Sequence, residues 1–553
     1  MSPLKIWFAA SEVDPFLKTG GLADVAGSLP KALGHEGAEV RVVMPKYGQI
    51  PAKYTEQMEF IGSVEVDLTW RRQYCGIFRL VEKGVTCYFL DNEYYFKREG
   101  IYGLGDDGER FAFFSRAILE VLPKIGFQPD IIHLNDWQTG MTPVMLDAHY
   151  RNFRNDGFFL NMRTVYTIHN LRYQGIFPKE MMDSVLGLEW GYFNTNGVEQ
   201  DGCVSFMKAA LNFSTRITTV SETYAEEIKG DFFGERLNET INRRSADLRG
   251  IVNGIDYAHN DPEHDDRLYA PFSAADPSGK LINKTSLQKQ MHLPARADVP
   301  LIGIISRLVD QKGFDLVARV LGEILSQDVQ IIVLGTGDRQ YEDLFRWAHH
   351  TYPQKVSAHI RYDGLLAQRI YAGCDFFLMP SLFEPCGLSQ LFSMRYGTVP
   401  VVRETGGLKD TVIPYNPLTG EGTGFSFANY NAHEMKDALM RGISVFRDKA
   451  AWDRLVRTCM AQDFSWEHAA RAYMAMYQEI MEAFPDRKVA LPHSKDATAI
   501  PAHAFPGHPG SAKAGGPVAS SRQGKPASRG ESKKTGKEEK SEREEKPEPE
   551  EKR

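Results

Sequence analysis

Cations, glycines and a few carboxylates gather where apolar runs end. KTGGLADV (18–25) closes the first such run and places Lys18, Gly20 and Gly21 ahead of a helical pattern of Leu22, Val25, Leu29 and Leu33. Glycines let a backbone approach a ligand closely, and the unpaired N–H groups at a helix start favour an anion. A lone GG is better explained by a tight strand-to-helix turn with a solvated lysine. SRLVDQKGFD (306–315) adds Arg307 just after a second apolar run and Lys312 beside Gly313. Two cations at one strand end could neutralise a diphosphate, each charge-assisted hydrogen bond being worth roughly 1.5–3 kcal/mol. PSLFEPCGLSQL (380–391) sets Glu384 between prolines and a glycine-led helix start, where a carboxylate can bind sugar hydroxyls. The helix start supplies free amides after Cys386, at Gly387 and Leu388. TGGL, with Thr405, Gly406 and Gly407, repeats the geometry one strand later. Three anion-friendly loops at one sheet edge describe a nucleotide-diphosphate pocket.

HLNDWQTG (133–140) and TIHN (167–170) supply a second group: Asp136, Trp137, His169 and Asn170 at strand ends. Tryptophan beside a carboxylate suits a sugar, with stacking on one face and hydroxyl hydrogen bonds at the edge, although partial core burial would equally account for Trp137. His133 lies further inside its strand than His169 and reads as structural. The chain has no HExxH, no clustered metal ligands, no GxGxxG and no GxxxxGK[ST], so metalloprotease, dinucleotide and P-loop readings weaken.

The elements that must hold these groups alternate short apolar runs with longer amphipathic stretches. Expected strands are 5–11, 39–45, a meander within 62–90, 130–136, 164–170 and 216–221, then a second series at 301–307, 329–335, 358–364, 375–381 and 399–405. This is an α/β pattern, whose continuous apolar strands imply parallel sheets covered on both faces. The expected organisation is two doubly wound, Rossmann-like domains, 1–250 and 251–484, facing an interdomain cleft. The remaining 485–553, rich in Pro, Gly and Ser and then in Lys and Glu, has too little apolar surface to offset ordering and is expected to be a disordered tail.

The 553 residues carry 65 basic and 72 acidic side chains, a net charge of −7, which gives no support for a nucleic-acid partner. No apolar stretch approaches the ~18 residues of a membrane span. Six scattered cysteines without a CxxC pair suit reduced thiols, so a cytoplasmic protein with neither export signal nor membrane contact is expected.

KTGGLADV, DNEYYFKREGIYG, HLNDWQTG, TIHN, VNGID, SRLVDQKG, LFEPCGLSQL and TGGL occur in the order found in bacterial glycogen synthases and plant starch synthases. The chain resembles that family over residues 5 to about 430. The resemblance implies a GT-B fold and transfer of glucose from ADP-glucose to the non-reducing end of an α-1,4-glucan, glycogen or maltodextrin, with retention. It implies no cofactor and no metal. It also implies a last helix returning to the first domain, for which 464–481 is the candidate. Carried over by position, Arg307 and Lys312 would neutralise the departing diphosphate, and Glu384 would position glucose with the backbone after Cys386. His169 and Asn253 would hold glucose hydroxyls or act near the anomeric carbon. Lys18, Gly20 and Gly21 would contact the donor with Asp24 nearby, Tyr362 would pack on adenine, and Asp136 and Trp137 would face the acceptor.

The chain departs from the wider pattern at two places. Phe392 stands where related transferases carry a second glutamate, and Asn135 stands where many relatives carry histidine. The alternatives are a transferase of the same architecture with another nucleotide sugar or acceptor, and a non-catalytic glucan-binding protein. The second would be expected to have lost Lys18, Arg307, Lys312 or Glu384, and all four are present.

Overall fold

Apolar runs too short and too uniformly hydrophobic for amphipathic helices become the inner strands of two sheets in the computed structural model, which describes residues 3–151 and 157–486. The first sheet contains β1 (Lys5–Ala9), β2 (Glu39–Pro45), β3 (Glu59–Leu68), β4 (Arg71–Glu82), β5 (Val85–Asp91), β6 (Ile131–Asn135) and β7 (Arg163–Ile168). A small antiparallel sheet of β8 (Ile176–Pro178), β9 (Glu199–Gln200) and β10 (Cys203–Ser205) interrupts the series, which resumes with β11 (Arg216–Thr219) and β12 (Leu248–Gly250). The order across the large sheet is β12-β11-β7-β6-β1-β2-β5-β4-β3, parallel except at the β5-β4-β3 edge.

The second sheet is parallel throughout: β13 (Leu301–Ile305), β14 (Gln330–Leu334), β15 (Val356–His359), β16 (Phe376–Met379), β17 (Val399–Arg403) and β18 (Phe425–Phe427), in the order β15-β14-β13-β16-β17-β18. That order reverses direction between β13 and β16, and the large sheet does the same between β1 and β6. Loops leaving neighbouring strands at such a point diverge to opposite faces and open a crevice at the strands' carboxyl ends. The four loops concerned carry KTGG, DWQT, RLVDQK and LFEPCG, so topology alone gathers the motifs.

Each sheet has its own core, but the first does not end with β12. The helix Trp466–Ala483 returns to it, packing on the helix Gly21–His35, and contributes Trp466, Tyr473, Tyr477 and Ile480 to the first core. The Tyr477 hydroxyl lies 2.6 Å from Nδ1 of the fully buried His133, whose Nε2 meets the Thr167 hydroxyl at 2.7 Å. His133 is thus a core residue.

Two expectations are corrected. The strand placed at 358–364 is β15, ending at His359, because Asp363 instead caps the helix Gly364–Gly373 by accepting the Leu366 N–H. The intervening turn leaves Tyr362 90% exposed. The strands β8, β9, β10, β12 and β18, each two or three residues long, lie outside the expected series. The expected tail from 485 lies, beyond Asp486, outside the described residues.

Candidate active site

In the second domain β13 ends at Ile305, and the chain passes through the exposed Arg307 and a single turn, Asp310–Lys312, to Gly313. Gly313 has φ +75°, and a Cβ there would stand 2.0 Å from the carbonyl oxygen of Pro380. Only glycine lets the β13 and β16 loops close on each other here. That approach brings Lys312 to Glu384: Nζ donates to Oε2 at 2.6 Å, and the Ser381 hydroxyl donates to the same oxygen at 3.0 Å. Glu384 is buried, so its charge is offset by these partners. Lys312, Ser381, Glu384, Gly387 and Leu388 line one pocket with Ser306 and Met379.

After Glu384 the backbone turns at Gly387, φ +69°, into the helix Ser389–Arg395. The Cys386 thiol is buried and pushed up to about 12 by desolvation, even though Asn253 donates hydrogen bonds toward its sulfur. Asn253, in the connection between domains, keeps a buried Oδ1 with no partner among the described residues.

The TGGL loop differs from expectation. Its polar groups are engaged by the protein itself: the Thr405 hydroxyl donates to Glu227 Oε1 at 2.9 Å, and the Gly406 N–H meets both carboxylate oxygens at 3.1 and 3.2 Å. The Gly407 N–H is shared by the carbonyls of Glu384 and Pro385. Thr405, Gly406 and Gly407 therefore form an anion-friendly helix start whose anion is a glutamate of the first domain. Its neighbours reinforce the junction, with the Thr223 N–H donating to Asp410 at 2.9 Å and the Ser221 hydroxyl to the Pro385 carbonyl at 2.5 Å.

In the first domain the KTGG loop is held by Glu12, which the motifs did not single out. Its carboxylate accepts the Thr19 N–H at 2.5 Å, the Thr19 hydroxyl at 2.9 and 3.0 Å, and the Gly20 N–H at 3.3 Å. Tyr102, from the DNEYYFKREGIYG segment, donates to Glu12 at 3.2 Å and meets Ser11 at 2.7 Å. A buried acid three residues past the apolar end of β1 was the available signal. The Gly20 amide is thereby occupied, while Gly21 begins the helix Gly21–His35. Lys18 pairs with Asp24; burial opposes its charge, but Asp24 outweighs this and raises the ammonium above its usual range. Burial likewise lifts the Asp24 carboxyl, which Lys18 only partly offsets. The loop also faces the other domain. A Cβ on Gly21 would stand 3.6 Å from Leu388, and Tyr362 lies near enough to Lys18 to influence its charge.

Beyond β6, Asp136 adopts φ +55° and ψ 177°, a conformation non-glycine residues hold only when their surroundings impose it. Its Oδ1 accepts the His169 N–H at 2.8 Å. Burial pushes this carboxyl up to about 7 despite hydrogen bonds from the His169 and Asn170 amides. His169 Nε2 lies 2.9 Å from Asn135 Oδ1, and burial lowers its ring to about 3, so it is neutral. The Asn170 side chain accepts the Arg172 N–H at 3.1 Å. Trp137 is largely a packing residue: Phe111, Phe177 and Phe206 surround it at centroid distances of 5.0–6.2 Å, and a Cβ on Gly175 would overlap its ring. It reaches one pocket beside Tyr173 and Arg172. Among the described residues no group of three or more His, Cys, Asp or Glu could hold a metal ion, and no helix is long and apolar enough to cross a membrane.

Residues 5–243 match the family model for the starch synthase catalytic domain, and residues 288–445 match that for glycosyl transferases group 1. Curated relatives named glycogen synthase include one from Desulforamulus reducens, 52% identical over 478 residues, and one from Exiguobacterium sibiricum, 51% identical over 481. Each alignment covers 86% of this chain and 99% of the relative. Among solved structures, the catalytic domain of starch synthase IV from Arabidopsis thaliana bound to ADP and acarbose superposes with a TM-score of 0.80 at 33% identity, covering 87% of this chain and 100% of that one. A sucrose-phosphate synthase from Thermosynechococcus elongatus, 17% identical with a TM-score of 0.54, shares the fold.

Proposed function

The chain belongs to the glycogen and starch synthase family of GT-B glycosyltransferases, and on that premise we propose that it transfers glucose from ADP-glucose to the non-reducing end of an α-1,4-glucan, with retention. The observation that carries this reading is the Lys312–Glu384 pair at the reversal point of the second sheet, with Lys18 and Gly21 reaching toward the same loops from the first domain. The ammonium of Lys312 uses one N–H on Glu384 and keeps others for a phosphate oxygen. Arg307 stands exposed at the same strand end. The two cations act on the charge that builds up as the diphosphate departs, where electrostatic help is worth most.

Glu384 orients glucose. One of its oxygens is committed to Lys312 and Ser381, which suits hydroxyl binding better than attack on carbon. Asp24 and Asp136 are likewise engaged, by Lys18 and by the His169 N–H. Retaining hydrolases place two carboxylates about 5 Å apart and use one as nucleophile. The engaged state of these three favours a same-face route instead: the acceptor hydroxyl oxygen bonds to the anomeric carbon as its bond to the diphosphate breaks, and a phosphate oxygen takes the hydroxyl proton. Tyr362 meets the base, and His169, Asn170 and Asn253 bind sugar hydroxyls. Asp136 and the pocket-lining edge of Trp137 face the glucan. Gly407 supports the donor loop through its N–H on the Glu384 and Pro385 carbonyls, and Thr405 and Gly406 tie that helix start to Glu227. Six free cysteines support a cytoplasmic setting.

Incubating the purified protein with glycogen and radiolabelled ADP-glucose or UDP-glucose, then counting label in precipitated glucan, tests the proposal. Incorporation from ADP-glucose is expected to dominate. No incorporation from either donor sinks the assignment.

A further inference from the structure

Asn135 ends β6 completely buried, between β1 and β7. Its Nδ2 donates to the Ala9 carbonyl at 2.9 Å, and a carbonyl accepts only, so the orientation of this amide is settled by the backbone of β1. The remaining atom, Oδ1, then faces His169 Nε2 at 2.9 Å. An amide oxygen carries no proton, so the proton of that hydrogen bond sits on Nε2. In a neutral imidazole the other nitrogen is then a bare acceptor. Nδ1 has no hydrogen-bond partner among the described residues and is not sealed from solvent. The main chain of His169 is fixed as well, through its N–H to Asp136.

We propose that Asn135 is a positioning residue that locks His169 as the Nε2–H tautomer, so that Nδ1 meets the bound sugar as an acceptor of one of its hydroxyl protons. The nature of that sugar rests on the function proposed above; the tautomer does not. The titratable groups around the ring are His133, two residues earlier on β6 and held between Tyr477 and Thr167, and Asp136, which contacts the His169 backbone. Glu12, three residues past the end of β1, bears on Asp136 by charge repulsion. No carboxylate makes a hydrogen bond to the ring itself among the described residues, and burial keeps it neutral. A side chain at 135 that carried a negative charge would change this, because imidazolium would gain a partner and Nδ1 would become a donor.

The test uses the full chain labelled with ¹⁵N-histidine and long-range proton–nitrogen spectra, with His169 assigned by the signal lost in His169→Gln. The expected pattern is Nε2–H, unchanged from pH 8 to pH 5. An Nδ1–H pattern, or titration of His169 above pH 5.5, overturns the proposal. In Asn135→Asp, His169 is expected to titrate within about pH 6–8, and kcat/KM for the donor to fall roughly 10²-fold as pH drops through that midpoint and to recover above it. A folded Asn135→Asp protein with a pH profile parallel to the wild type also overturns it. Should that variant fail to fold, the wild-type spectra decide alone. They read the tautomer whether or not glucose is transferred, so failure of the proposed activity is told apart from failure of this inference.

Discussion

The carboxylate of Glu227, on the first domain, caps the helix Gly406–Thr411 of the second, accepting the Gly406 N–H at 3.1 and 3.2 Å. The two domains are thus joined beside the Glu384 loop by a contact that water can replace. Glu227→Ala is expected to favour the open arrangement. Small-angle scattering of the ligand-free protein should give a larger radius of gyration than wild type, and donor KM should rise about tenfold with kcat little changed, since only closure is taxed. An identical scattering profile argues against the junction as a brake on opening.

Lys312→Ala removes both the charge proposed to meet the leaving group and the partner of a buried carboxylate. A fall in kcat of roughly 10²–10³ is expected, beyond any change in donor KM. Thermal stability should also drop, by about 3 kcal/mol, because Glu384 is left uncompensated. Weakened donor binding at unchanged kcat would limit Lys312 to ground-state binding.

Asp136 gives a pH dependence with a definite sign. Its carboxyl is pushed up to about 7 in the folded protein from the 3.8 of an ordinary aspartate, so between those values the folded state holds the proton more tightly. The stability this group contributes is present at low pH and is lost as pH rises through about 7. Asp136→Asn retains the hydrogen-bond acceptor without the charge. It should be more stable than wild type at pH 8, on the order of 1–2 kcal/mol, with the margin shrinking toward pH 5. A margin independent of pH, measured by denaturant melts, would contradict this.

Tyr362 has almost no contact to lose. Tyr362→Ala should leave the melting temperature within about 1 °C, since exposed substitutions rarely exceed ±0.5 kcal/mol, while ADP-glucose KM rises several-fold. Unchanged KM would remove it from the base site.

What was legible in the sequence is what local pattern controls. Runs such as LIGIISR and DIIHLND can only be buried strands, and glycine at 313 and 387 announces turns whose geometry excludes a side chain. His133 could be told from His169 by depth in its strand. What could not be read depends on partners far away in the chain. Nothing near Glu227 indicates that its acceptor-seeking neighbour is Gly406, 179 residues on, and the TGGL amides consequently looked vacant. Glu12 drew no notice in the sequence because Thr19 and Tyr102 meet it only after the loop has folded over. The strands β8 to β10 and β18 are too short to show a period and exist through pairing.

The helix Trp466–Ala483, packed into the first core through Tyr473 and Tyr477, also sets an order of events during synthesis. Residues up to β12 leave the ribosome lacking part of their own interior, and roughly two hundred more must be translated before it arrives, about 10–40 s at ordinary elongation rates. The second domain, wholly contained in that interval, can finish first. The first waits with an apolar groove along the helix Gly21–His35, which makes nascent chains halted before Trp466 the form of this protein most in need of a chaperone.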